Sequence, residues 1–133
     1  TSISSASNEI TKNVDFDIKP SQDSTWYIKE SYKARGGTKK ESRERAERID
    51  YNFKLVGNVL RLPDYFTFDK SDKIRAQEVK LVLYVPKNKY VYLDYGIEDI
   101  IDDIQNVQNI YDPRMVKHYW QMNSQELNCL DCN

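Results

Sequence analysis

Histidine, cysteine, glycine and proline are all scarce in this sequence. Its 133 residues hold one His, two Cys, four Gly and four Pro. A single histidine, His118, excludes every mechanism that needs two. The glycines form no phosphate-cradling loop; Gly36 and Gly37 stand as an isolated pair. No serine lies within G-x-S-x-G, so a nucleophile elbow is absent. No apolar run approaches the ~20 residues a membrane helix needs. Excess charge of either sign is missing too. Twenty basic residues face 21 acidic ones, which gives no reason to expect nucleic acid. Many carboxylates are present, but spacing selects no pair with split pKa values.

Aromatic residues are plentiful. They make up 12% of the chain, ten of them tyrosines. With a mean hydropathy of −0.78, this describes a polar domain with enough apolar surface to fold, rather than a disordered segment. The length suits one domain.

The opening, TSISSASNEI, shows no period. Residues 1–12 read as a poorly ordered, linker-like lead-in, and the chain as a piece of a larger protein. A single domain is expected over 13–133. From Val14 the residues alternate, with Val14, Phe16 and Ile18 on one face, until Pro20. A second strand, from Trp26 to about Lys33, should turn Trp26, Ile28 and Tyr32 inward. After Gly37, Thr38 and Glu41 fit a capping box. The stretch 39–49 predicts a surface helix with Ser42, Ala46 and Ile49 along one face. Glu41–Arg45 and Glu44–Arg48 are acid-before-base pairs on it.

Strands dominate after that. Tyr51, Phe53 and Leu55 alternate. Gly57-Asn58 then signals a two-residue turn into Val59–Leu62. Tyr65–Phe68 is a short aromatic strand, and 69–75 a charged loop. Glu78–Val85 is apolar on both faces, so it should be central in its sheet. Tyr90–Asp94 follows as a strand. Ile97, Ile100, Ile101, Ile104 and Val107 follow helical steps and predict a short helix near 97–105. His118–Met122 and Glu126–Cys129 read as strands joined by a turn at 123–125. The fold class expected is mainly β, with β-sandwich as the alternative to stacked strands.

Four features invite a functional reading. Cys129 and Cys132 form a C-x-x-C pair, but no helix follows to activate a thiol, and one pair supplies half of a zinc site. Three readings stay open: inert thiols or a local disulfide, an intermolecular metal or disulfide link, and redox chemistry. The acidic stretch 94–112 follows helical spacing and reads as a solvated face rather than a calcium loop. Lys33, Arg35, Lys39, Lys40 and Arg43 form a basic stretch that could serve as an interaction surface. Interleaved glutamates argue against nucleic acid there; a salt-bridged exposed helix is the default, and a membrane surface is the minority alternative. The tyrosines fit strand packing better than sugar stacking. No catalytic, cofactor-binding or metal residue is assigned, and the chain is not expected to be an enzyme.

Several runs occur together in one order: RAERIDYNF at 45–53, GNVLRL at 57–62, RAQEVKLVLYVP at 75–86, then YWQM at 119–122 and LNCLDC at 127–132. This order resembles the C-terminal, Toastrack-related domain of phage-shock-protein-C-like membrane proteins of Bacteroidetes-type bacteria. The resemblance implies strands stacked into a β-solenoid or rack-like array. It implies a domain held on the periplasmic side of the inner membrane by segments outside this sequence. It implies envelope-stress sensing through a protein partner or envelope component, without cofactor. The alternative function is an adhesin-like or glycan-binding surface module. A hydrolase using two carboxylates is a third reading and would need a deep acid-lined pocket.

Overall fold

The computed structural model describes residues 8–72 and 76–132, without the side chains of residues 8 and 9. The described residues form ten strands and one α-helix. The chain is therefore mainly β, as its alternating patterns predict. The strands are grouped in four small sheets.

Packing divides the chain into two compact units. One takes the residues up to Val14 together with Ser31–Lys80; the other takes Asp15–Glu30 with Leu81–Asn133. All three boundaries fall inside strands: β2 (Val14–Pro20), β3 (Tyr27–Lys33) and β7 (Glu78–Val85). These three make one sheet in the order β2-β7-β3. The central place of β7 agrees with its apolar residues on both faces. Val79, Leu81 and Val85 are fully buried, and on β2 Val14, Phe16 and Ile18 are buried as their alternation predicts. Edge strand β3 differs from expectation. Trp26 and Tyr32 are exposed and Ile28 is half-buried. Tyr27 stacks instead on Tyr84 of β7, with centroids 4.4 Å apart.

In the first unit, β1 (Asn8–Thr11) pairs antiparallel with β6 (Phe66–Asp69). Residues 8–11 are thus a strand, not part of a poorly ordered lead-in, because β6 offers them a ladder of backbone partners. Residues 1–7 lie outside the described residues. On β6, Thr67 also exchanges both backbone bonds with Asp50. Phe66 and Phe68 alternate inward, beside buried Ile49 and Tyr51. Only 54–56 of the expected strand 51–56 is regular. It forms β4 (Lys54–Val56), which returns through Gly57-Asn58 into β5 (Val59–Arg61) with Val56 opposite Val59. Gly57 has φ +60° at the first turn position, the conformation a type II′ hairpin turn requires and glycine adopts without steric cost.

Helix α1 (Lys39–Glu47) starts where the capping pattern says. Thr38 Oγ1 accepts from Glu41 N–H at 3.1 Å. Glu41 reaches back to Gly37 N–H, one residue beyond the usual partner. Gly36 sits so close to the helix start that a Cβ would lie 2.7 Å from Ser42 N and 2.8 Å from Glu41 Cβ. No residue of the helix is buried; Ile49, just past its end, is. The expected apolar face is therefore reduced to its last member. Arg48 forks onto buried Asp72, with Nε donating to Oδ2 at 2.7 Å. Asp72 lies in a 3-10 turn at 70–72, within the stretch predicted as a charged loop.

In the second unit, β8 (Tyr90–Leu93), β9 (His118–Met122) and β10 (Leu127–Cys129) form an antiparallel sheet in the order β10-β9-β8. The turn at 123–126 is held by Asn123, whose side-chain oxygen accepts from Gln125 N–H and Glu126 N–H. Trp120, Met122 and Leu127 are fully buried, and Trp120 Nε1 donates to Met115 O at 3.0 Å.

The helix predicted near 97–105 does not form. Residues 95–97 make one 3-10 turn. The chain then extends and bridges β2, with Phe16 N–H donating to Ile100 O and Asp102 N–H to Phe16 O. Asp103 has φ +53°, which no α-helix accommodates. The apolar spacing was real in part, since Ile100, Ile101 and Ile104 are buried, but Val107 is exposed. β-Branched isoleucines favour extended backbone once a strand offers partners. The loop that follows is held by buried Asn106, which donates to the carbonyls of Ile104 and Ile110 and accepts from Ile110 N–H.

Candidate functional site

The second unit places unlike groups on the two faces of the β8–β9–β10 sheet. Register fixes which. Tyr92 lies opposite Tyr119, and Tyr90 opposite Gln121. Gln121 in turn lies opposite Asn128. These five share the outer face, and Tyr90, Tyr92 and Tyr119 are all exposed. The Tyr92 and Tyr119 rings are 4.8 Å apart and tilted by 50°. Nearby in sequence, Lys117 Nζ lies 5.8 Å from the Tyr95 ring centroid, at cation–π range.

The inner face carries Val91, Leu93, Trp120, Met122, Leu127 and Cys129, with His118 at its end. Cys129 is opposite Trp120 in the ladder. Leu130 N–H still donates to Tyr119 O beyond it. One further step in the same register puts Asp131 opposite His118. Asp131 Oδ1 lies 3.0 Å from His118 Nδ1 and accepts from Tyr119 N–H at 3.2 Å. Cys129 and Cys132 are joined as a disulfide, with Cα atoms 5.7 Å apart. Cys129 Sγ lies 3.5 Å from Asp131 Oδ1. One donor atom from each of His118, Cys129, Asp131 and Cys132 falls within 4.8 Å of the others.

This grouping is absent from the sequence pattern, where His118 and the cysteines are separate features. The signal that reaches it is the hairpin register. A turn at 123–126 pairing Met122 with Leu127 carries Asp131 to His118.

The basic residues 33–43 fall in the first unit. Lys33, Arg35, Lys39, Lys40 and Arg43 are exposed, and Lys33 Nζ lies 3.9 Å from Glu78. Of the expected helix pairs, Glu41–Arg45 is present at 4.0 Å. The acidic residues of 94–112 do not line a helix. Asp94 caps the 3-10 turn at 95–97, and Asp112 accepts from Asp103 N–H at 2.7 Å. A recess in the first unit is lined by Asp50, Asn52, Pro63, Tyr65 and Thr67; among these, Asp50 is the single carboxylate.

A β-rich domain of small sheets, with one exposed helix, is the class these elements define. The chain matches the family described as ToastRack found in some PspC over residues 4–133, and it belongs to that family. Comparisons with curated proteins and with solved structures returned no match. The family relates the domain to membrane-associated, envelope-stress proteins. No helix among the described residues is long and apolar enough to cross a membrane.

Proposed function

We propose that this is a non-enzymatic sensing or interaction domain, held on the periplasmic side of the inner membrane as part of a phage-shock-type protein. Family membership over nearly the whole chain carries this reading. The Cys129–Cys132 disulfide supports the extracytoplasmic side, since such bonds persist in oxidising compartments. A solenoid-like stacking of strands belongs to the same proposal, on the family's account. The ligand is a protein or envelope component, and nucleic acid is not among the partners, in keeping with a net charge of −1.

Membrane-impermeant maleimide labelling in intact spheroplasts tests the placement. A cysteine introduced at exposed Lys39 of the full-length protein should label from outside. Labelling only after lysis sinks the periplasmic assignment. Crosslinking from the Arg35–Arg43 surface, with and without envelope stress, tests the interaction. A pattern of crosslinks indifferent to stress removes the sensing role.

A glycan-binding role is the second reading, favoured by the exposed Tyr90, Tyr92 and Tyr119 face. Its rings are tilted rather than coplanar. Titration with peptidoglycan fragments, followed by tyrosine-ring NMR shifts, decides it; unshifted rings at saturation end the idea.

A further inference from the structure

We propose that reduction of Cys129–Cys132 converts this corner of the second unit into a four-ligand site for a borderline divalent cation, Zn2+ above all. The ligands are Cys129 Sγ, Cys132 Sγ, His118 Nδ1 and a carboxylate oxygen of Asp131. The sequence alone offers two ligands where a closed zinc site needs four. The fold supplies the other two.

The donor set is chemically apt. Zinc takes thiolate, imidazole and carboxylate together, and C-x-x-C is a common ligand spacing. The geometry is apt as well. A tetrahedral zinc ion holds neighbouring donors about 3.3–3.8 Å apart, given ordinary zinc–ligand bond lengths. His118 Nδ1 and Asp131 Oδ1 are already 3.0 Å apart, and Asp131 Oδ1 and Cys129 Sγ 3.5 Å. The bonded sulfurs must separate, and the wider donor pairs, within 4.8 Å of one another, must close to tetrahedral spacing. Side-chain rotation at Cys129 and Cys132, with Leu130 and Asp131 between them, supplies that movement. Part of the frame is rigid. His118 starts β9, and Asp131 is tied to the backbone of that strand through Tyr119 N–H. Carboxylates held by a backbone donor are the oriented kind that metal sites use.

The chemistry balances with a dithiol reductant. Two electrons and two protons pass from the dithiol to the disulfide, the S–S bond breaks, and the dithiol closes to its own disulfide. Zn2+ then displaces both cysteine thiol protons to solvent and forms two Zn–S bonds. The disulfide and the metal site exclude one another, because each uses both sulfurs.

Cobalt(II) titration of the whole chain is the test. The protein is reduced with a phosphine, exchanged into oxygen-free buffer and monitored by absorbance and far-UV circular dichroism. The expected result is one equivalent of Co2+ giving a thiolate-to-cobalt charge-transfer band and intense tetrahedral d–d bands, both displaced by Zn2+. The oxidised chain should give neither. His118→Asn and Asp131→Asn should each weaken binding by at least about tenfold, in chains whose NMR spectra show them folded. Absence of the bands in the reduced wild-type chain, folded or not, overturns the proposal. So does undiminished affinity in both variants, which would leave a bare dithiol as the binder.

Discussion

Asp131 stands directly across from His118, its Oδ1 3.0 Å from Nδ1, although the last formal ladder pair of that hairpin is Cys129 with Trp120. The relationship is a product of register. A one-residue slip would send Asp131 to the other face of the strand. It also explains how a terminal C-x-x-C comes to lie beside an imidazole that is distant in sequence.

The disulfide itself should contribute little to stability. It closes a loop of only a few residues, and the entropy it removes from the unfolded chain is correspondingly small, about 2 kcal/mol at most. Urea denaturation with and without a phosphine should therefore show a modest drop in midpoint and a still-folded reduced chain. Complete unfolding on reduction would show that the clasp organises β9 and β10 rather than trimming them.

Asp72 is buried and receives Arg48 through two parallel donors, with Arg45 Nε 4.0 Å away. Asp72→Ala removes the acceptor of Arg48 and the ion-pair partner of Arg45 and should cost about 2 kcal/mol, the scale of charge-assisted hydrogen bonds that are partly buried. Asp72→Asn should fall between. Chemical denaturation measures both, and an Asp72→Ala midpoint equal to wild type would show the fork to be incidental.

Trp120 fills the inner face of the β9 sheet and spends its indole N–H on Met115 O. Trp120→Phe keeps a ring but leaves that carbonyl without its donor and opens space. A loss of about 2–3 kcal/mol is expected. Fluorescence gives an independent reading, because only exposed Trp26 would remain. The emission should shift to the red and lose its buried component.

Two surface carboxylates make a pH prediction. Asp23 is held below the ordinary carboxylate range chiefly by the Thr25 hydroxyl, then by Thr25 N–H and Ser21. Asp69 is held low by Ser71 N–H, then by its hydroxyl. A depressed folded-state value means the stabilisation is complete above the unfolded value and is lost as pH falls through the folded one. Carboxyl carbon NMR titration should show both midpoints below the ordinary aspartate value. Thr25→Val should raise Asp23 alone.

Helix α1 depends on its start, since it buries no residue of its own. Thr38→Ala should lower stability by about 1 kcal/mol. Gly36→Ala should lower it as well, because the added Cβ meets the backbone at Ser42 and the stem of Glu41. Circular dichroism and thermal melts check both; a neutral Gly36→Ala would mean that the 36–38 turn shifts freely.

What could be read ahead of the structure was local. The Gly57-Asn58 turn specifies its hairpin by chemistry that needs no distant partner. The Thr38–Glu41 cap sets a helix start in the same way. The double-sided apolar pattern of 78–85 carries its central position. What could not be read depended on partners elsewhere. Ile97, Ile100, Ile101 and Ile104 fit a helix by spacing but extended backbone by their β-branched side chains, and the backbone of Phe16 decides for the latter. Residues 8–11 carry little pattern until β6 supplies a ladder. The cysteines were visible as a pair, but their neighbours His118 and Asp131 appear only once the hairpin register is known.

The strand boundaries described above have a consequence for synthesis. Each unit is assembled from two separated stretches, so neither can be cut out as a continuous fragment. As the chain emerges N-terminus first, whether from the ribosome or across a membrane, the first unit has all its residues once Lys80 has emerged. The second must wait. Phe16 and Ile18 are made early with the rest of Asp15–Glu30, yet the larger part of their unit arrives only with Leu81 and after. During that interval the apolar side of β2 has no finished unit to join. The emerging chain is thus open to misassociation at β2 until the stretch from Leu81 onward has followed, and a holding chaperone would be of most use in that interval.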